Sequence, residues 1–138
     1  MAGAPLDAIR RVPLFAELSD AELEQVARLF KQRGFPAGET VAKEGSGGAA
    51  FYLIDSGEAA VTLAGNPRGT LGPGDYFGEI ALIDEGARSA TITATTDLSC
   101  YGLTFWDFRP LVQENAAICW KLLQFMVGRL RAAERQSP

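Results

Sequence analysis

The residues of this chain best suited to chemistry lie between Pro73 and Thr95. There Gly78 and Glu79 stand beside a short apolar turn, and one arginine, Arg88, follows nine residues after the glutamate. Small and β-branched residues surround Arg88, and a cation in such a setting needs an anionic partner or water. Its planar fork pairs bidentately with phosphate oxygens. Gly78 lets a ligand approach the backbone closely, and the N–H groups that open the Ile80-Ala81-Leu82 turn can hold phosphate oxygens. Ser89 adds a hydroxyl donor and Ala90 a backbone N–H. Glu79 cannot hold phosphate, because like charges repel, but it can accept hydrogen bonds from sugar hydroxyls. Each residue also has a plain structural explanation. Glu79 is favourable at a helix start, Arg88 can be a solvated residue at a strand start, Ser89 is an ordinary turn residue, and Tyr76 and Phe77 suit a core. The ordered combination points to a pocket for a small phosphate-containing ligand.

Composition narrows the classes. A chain of 138 residues with 47% apolar and 22% charged residues fits one globular domain with a single core. No apolar run approaches the roughly 18 residues that a membrane span requires. Met1-Ala2-Gly3-Ala4-Pro5 resembles neither a signal peptide nor a lipidation site, so a cytoplasmic location is expected. A net charge of −4 argues against broad binding to nucleic acid or acidic membranes, while leaving room for a local anion site. Cys100 and Cys119 are expected to be free thiols. There is no histidine, which removes Ser-His-Asp and Cys-His catalysis and histidine-based zinc sites. With no evident nucleophile–base pair or metal cluster either, an enzyme is not expected.

The site needs elements to hold it. Ser19 and Glu22 have capping-box spacing, and Leu23, Val26, Ala27 and Phe30 continue as a helical stripe that Gly34 is expected to end. Leu14 and Phe15 anchor the preceding segment. From Gly34 onward short apolar runs alternate with glycine-rich turns: Thr40–Ala42, Phe51–Ile54, Ala59–Leu63, then Ala90–Thr95 and Leu98–Leu103. Gly65-Asn66-Pro67-Arg68-Gly69 reads as a turn. Such spacing indicates an antiparallel sandwich or barrel. Thr104 caps a helix over Phe105–Gln113, and Asn115 caps another over Ala116–Arg135. In the last helix Cys119, Leu122, Leu123, Met126, Val127 and Leu130 form an apolar face wider than one contact requires.

The segment Phe77-Gly78-Glu79-Ile80-Ala81-Leu82, with Arg88-Ser89-Ala90-Thr91 after it, resembles the phosphate-binding cassette of the cyclic nucleotide-binding domain family. That family includes the catabolite activator protein, the regulatory subunits of cyclic-AMP-dependent kinase and nucleotide-gated channels. Val12-Pro13-Leu14-Phe15, Gly38-Glu39-Thr40-Val41, Glu44-Gly45, Phe51-Tyr52-Leu53-Ile54 and Gly57 extend the likeness over nearly the whole chain. The resemblance implies a mainly β fold with flanking helices. Its parts are an N-terminal helical segment (about 6–33), an eight-stranded antiparallel jelly-roll (about 34–104) with a short phosphate-binding helix, and two C-terminal helices (about 105–135). It also implies that Glu79 bonds the ribose 2′-hydroxyl and Arg88 the cyclic phosphate. Gly78, Ser89 and Ala90 would complete the phosphate cradle with Ala81 at the start of the short helix, and Val61 and Ile80 would line the base or sugar.

In this family the residue after the arginine is commonly threonine with cyclic GMP and alanine with cyclic AMP. Ser89 resembles the cyclic-AMP pattern and keeps a hydroxyl. The polar base contacts that the family draws from its last helix have no Ser-Thr pair here; Arg131, Glu134 and Arg135 are the candidates. The expected function is a regulatory sensor of cyclic AMP whose last helix shifts on binding. A cyclic-GMP module and a structural domain that keeps the fold without the ligand are the alternatives. No cofactor is expected beyond the nucleotide, and nothing in these 138 residues is expected to read DNA. Expected partners are an effector outside these residues and a second copy, through Leu123, Met126 and Leu130.

Overall fold

Ser19 opens the first long helix as its spacing requires: its hydroxyl accepts from the Glu22 N–H and the Glu22 carboxylate accepts from the Ser19 N–H. The computed structural model describes residues 3–45, 50–79, 81–84 and 88–136. Three helical pieces lead: α1 (Leu6–Arg10), a 3₁₀ turn (Pro13–Phe15) and α2 (Asp20–Ala27). Eight strands follow: β1 (Lys31–Phe35), β2 (Thr40–Ala42), β3 (Ala50–Ser56), β4 (Ala59–Leu63), β5 (Asn66–Leu71), β6 (Tyr76–Phe77), β7 (Thr91–Ala94) and β8 (Leu98–Thr104). The short α3 (Ala81–Asp84) interrupts them, and α4 (Phe105–Glu114) and α5 (Ala116–Gln136) close the chain. The strands form two four-stranded antiparallel sheets, ordered β1-β8-β3-β6 and β2-β7-β4-β5. This is the mainly β roll with flanking helices that the sequence implies.

Alternation along β3 explains the two cores. Phe51 and Leu53 point to the helices, whereas Tyr52 and Ile54 point between the sheets. On the helical side Phe51 meets Phe15 and Phe30 edge to face, with Phe15 in turn against Phe108. Burying each ring is worth about 1.5–3 kcal/mol. Ile118 and Leu122 bring the first half of α5 into this cluster. Between the sheets lie Phe35, Tyr52, Ala59, Ile92, Leu98 and Cys100. Cys100 and Cys119 are both free, and burial pushes the Cys100 thiol up to about 11.

Two expectations need correction. α2 ends at Ala27, and β1 begins at Lys31 and contains Gly34. Phe30 is fully buried, as its place in the helical stripe suggests, but it reaches the core from the turn after the helix. Pairing with β8 extends residues 31–35 instead. The segment Asn66–Gly69 is strand, not turn. Ala64 and Gly65, both at positive φ (52° and 81°), make the two-residue hairpin turn, and Pro67 is tolerated because β5 is an edge strand. Thr104 and Asn115 cap α4 and α5 as expected, accepting from the Asp107 and Ile118 N–H groups.

Glu22 also ties α2 to α5, through Lys121 Nζ at 2.7 Å. That hydrogen bond, followed by the one from the Ser19 N–H, holds the Glu22 carboxyl below its ordinary 4.5. A carboxyl with a lowered folded pKa stabilises the fold above its unfolded pKa and loses that contribution as pH falls through the folded value. Lys121→Met is therefore expected to lower the urea midpoint at pH 7. The gap from wild type should narrow as the pH drops below 4.5. A gap independent of pH would show that the ion pair contributes nothing.

Candidate functional site

β6 pairs with β3 through Phe77↔Tyr52 and Tyr76↔Leu53, so the chain leaves the sheet at Gly78 beside the start of β3. Gly78 takes φ +85°, a conformation that glycine adopts without strain. Glu79 follows, and its carbonyl accepts from the Leu82 N–H at the entry to α3.

Arg88 returns to the same point from the far side of α3. One guanidinium nitrogen, Nη2, donates to the Ala50 carbonyl at the start of β3. The other, Nη1, lies 2.1 Å from where a Cβ on Gly78 would sit. The Arg88 backbone is held as well: its carbonyl accepts from the Gly45 N–H at 2.9 Å, and the Glu44 N–H donates to Thr91 Oγ1 at 3.0 Å. Arg88 is half-buried. Burial draws its pKa below the ordinary arginine value, partly offset by Tyr52, yet a guanidinium stays cationic. Among the side chains described, no carboxylate pairs with it. The arrangement is a desolvated, preorganised cation against a glycine backbone, which suits an anion.

Glu79 is engaged elsewhere. Its Oε1 lies 3.7 Å from Arg129 Nη1 on α5. Burial raises the Tyr76 phenol above its ordinary pKa, with Glu79 adding to the shift and Arg129 opposing it. Tyr76, Glu79 and Arg129 thus form one polar cluster between the roll and the last helix.

Gly78 and Arg88 are brought together, while Glu79 follows Gly78 in the chain with its carboxylate beside Arg129. Ser89 is exposed and Ala90 half-buried just beyond the arginine. Ala81 opens α3; Ile80 lies outside the described residues. Val61 is half-buried on β4, opposite Ile92, and packs against the inter-sheet core. Arg131, Glu134 and Arg135 are exposed on α5. Arg129 is the residue that reading the sequence missed. Its signal was available: the inward stripe Ile118, Leu122, Phe125 lands next on Arg129 at helical spacing.

The domain is thus a β-roll that carries a glycine, a carboxylate and a half-buried arginine beside a short helix, with a long helix reaching back to the carboxylate. The profile of the cyclic nucleotide-binding domain family matches residues 32–115, and the chain belongs to that family. It is 34% identical over 127 residues to a cyclic AMP receptor protein of Thermus thermophilus, covering 88% of this chain and 59% of that protein. It is 41% identical over 106 residues to a cAMP-dependent protein kinase regulatory subunit of Emericella nidulans, covering 75% and 26%. Among solved structures, the N-terminal domain of a transcriptional regulator from Streptomyces coelicolor superposes with a TM-score of 0.84 at 29% identity, covering 92% of this chain and 94% of that one. The chain thus spans from about a quarter to three-fifths of the curated relatives' own length. Among the described residues no helix is long and apolar enough to cross a membrane.

Proposed function

We propose that this domain is a regulatory sensor of a cyclic nucleoside monophosphate, with cyclic AMP preferred over cyclic GMP. The observation that carries the reading is the Arg88 guanidinium, half-buried and fixed between Ala50 and Gly78. In this reading Arg88 pairs with the cyclic phosphate, and the Gly78 backbone, the Ser89 hydroxyl and the Ala90 N–H complete the cradle. Ala81 joins the cradle at the start of α3, Glu79 accepts from the ribose 2′-hydroxyl, and Val61 and Ile80 line the base or sugar. Serine at position 89, where cyclic-GMP binders of the family commonly carry threonine, supports cyclic AMP. A receptor protein and kinase regulatory subunits among the relatives support a regulatory rather than an enzymatic role.

An apolar cleft of about 410 Å³ lies between α3, α4 and α5, lined by Leu82, Phe108, Leu122 and Met126 among others. Binding that favours one helix position over another shifts the population between them. The test is calorimetric titration with both nucleotides: cyclic AMP should bind more tightly, and no heat with either would leave the domain a structural module.

We further propose a second copy of this chain as a partner. The large apolar residues exposed on α5 among the described residues are Trp120, Leu123, Val127 and Leu130, at 62%, 52%, 47% and 59%, with Leu123 also at the edge of the cleft. Their spacing of three, four and three is that of a coiled-coil seam, and Val127 flanked by Leu123 and Leu130 suits a parallel pair. Met126 packs against the core instead, so it drops out of the expected contact. Sedimentation equilibrium should find dimers of wild type and monomers of Val127→Lys. A wild type that stays monomeric at high concentration, with and without nucleotide, would rule the pairing out.

A further inference from the structure

The ladder between β4 and β7 ends at Thr62↔Thr91. Beyond that pair β4 continues to the hairpin turn at Ala64–Gly65, while the chain before β7 leads back to Arg88. Glu44 and Gly45, just after β2, bridge the two. The Glu44 N–H donates to Thr91 Oγ1 at 3.0 Å, and the Gly45 N–H donates to the Arg88 carbonyl at 2.9 Å. The half-buried Glu44 side chain reaches the other way, and its Oε1 accepts from the Ala64 N–H at 2.8 Å. Among the described residues Ala64 is the one non-glycine residue at positive φ. A left-handed alanine is held at a cost, and the first residue of a two-residue turn finds no ladder partner for its N–H. The carboxylate supplies that partner from twenty residues away.

We infer that Glu44 is a positioning residue for Arg88, its carboxylate fastening the β4–β5 hairpin to the bridge that holds the arginine's backbone. The inference rests on the proposal that Arg88 pairs with the cyclic phosphate. The N–H that Gly45 gives to Arg88 belongs to the peptide unit between Glu44 and Gly45, which is planar and turns as one piece. With its side chain tied to Ala64 and its own N–H tied to Thr91, Glu44 fixes the orientation of that peptide. Release of the carboxylate leaves one tie, and the donor that steadies Arg88 is free to swing. Val61 lies on β4 three residues before the turn. The same clamp therefore sets the wall proposed for the base or sugar against the cation proposed for the phosphate.

The experiment titrates cyclic AMP calorimetrically into wild type, Glu44→Ala and Glu44→Gln, and follows hydrogen exchange at the Ala64 amide by NMR. Glu44→Ala should bind about three- to tenfold more weakly, within the range for residues coupled through a shared backbone shift. Glu44→Gln drops the charge but keeps a side-chain oxygen for the Ala64 N–H, so it should stay within about twofold of wild type. Saturating cyclic AMP should slow exchange at Ala64 in wild type and Glu44→Gln but not in Glu44→Ala. A purely structural loss would instead quicken that exchange equally with and without ligand. Wild-type affinity in Glu44→Ala, or Glu44→Gln as weak as Glu44→Ala, would overturn the positioning role. So would a wild-type Ala64 amide that ignores bound nucleotide. A wild type that binds no cyclic AMP would instead remove the functional reading on which the inference stands.

Discussion

Arg88→Ala is expected to bind cyclic AMP about 2–5 kcal/mol more weakly than wild type, roughly 30- to 4,000-fold. That range is the cost of truncating one partner of a desolvated charge pair, and much of it is the penalty on the phosphate left without its cation. Arg88 is a strong candidate for the upper part because its position is already fixed without ligand. The Ala50 carbonyl holds Nη2, Gly78 abuts Nη1, and the Gly45 N–H holds the backbone. Little ordering remains to be done when the phosphate arrives. The fold should survive the substitution, since removing a half-buried cation relieves a desolvation cost while releasing one carbonyl. Arg88→Lys should fall between the two, because an ammonium keeps the charge but not the two-pronged donor geometry. Calorimetric titration, with thermal unfolding of the ligand-free proteins as the control, decides it. An unchanged dissociation constant for Arg88→Ala would contradict the assignment.

Much of this architecture was legible from local chemistry. The Ser19–Glu22 box, the Thr104 and Asn115 caps and the alternating strands are set by short-range rules, and the structure follows them. The misreadings fall where distant pairing overrode local pattern. Residues 31–33 lie between Phe30, the last of the helical stripe, and Gly34, the expected helix end, yet β8 offers a register for all of β1. Asn66–Gly69 carries turn residues, but the Ala64–Gly65 turn had already reversed the chain, so those residues extend along β4. The site divides in the same way. Gly78, Glu79 and Arg88 are close in sequence and could be grouped by their chemistry. Arg129 lies fifty residues beyond Glu79; helical spacing puts it on the inward stripe of α5, but only the packing of α5 shows that the carboxylate is what it meets. The outward seam was legible as an apolar face, but not its division between Met126, which packs inward, and Trp120 and Val127, which do not.

Gly78→Ala is expected to lose most of the cyclic AMP affinity although it removes no group that touches the ligand. An alanine Cβ there would lie 2.1 Å from Arg88 Nη1 and 2.8 Å from the Ala50 carbonyl oxygen. The guanidinium is the movable partner, so it must swing away, and its bond to Ala50 goes with it. The left-handed backbone at φ +85° adds a strain of about 1–2 kcal/mol for any residue with a Cβ. A modest fall in thermal stability should therefore accompany a large fall in affinity. The double variant separates this from simple damage to the cassette. If the methyl acts by displacing Arg88, then Gly78→Ala should cost little further affinity in an Arg88→Ala background, because the displaced group is already gone. Additive losses would mean that Gly78 acts on the ligand directly through its own backbone. Wild-type affinity in the single variant would mean that Arg88 does not need the place it occupies beside the glycine.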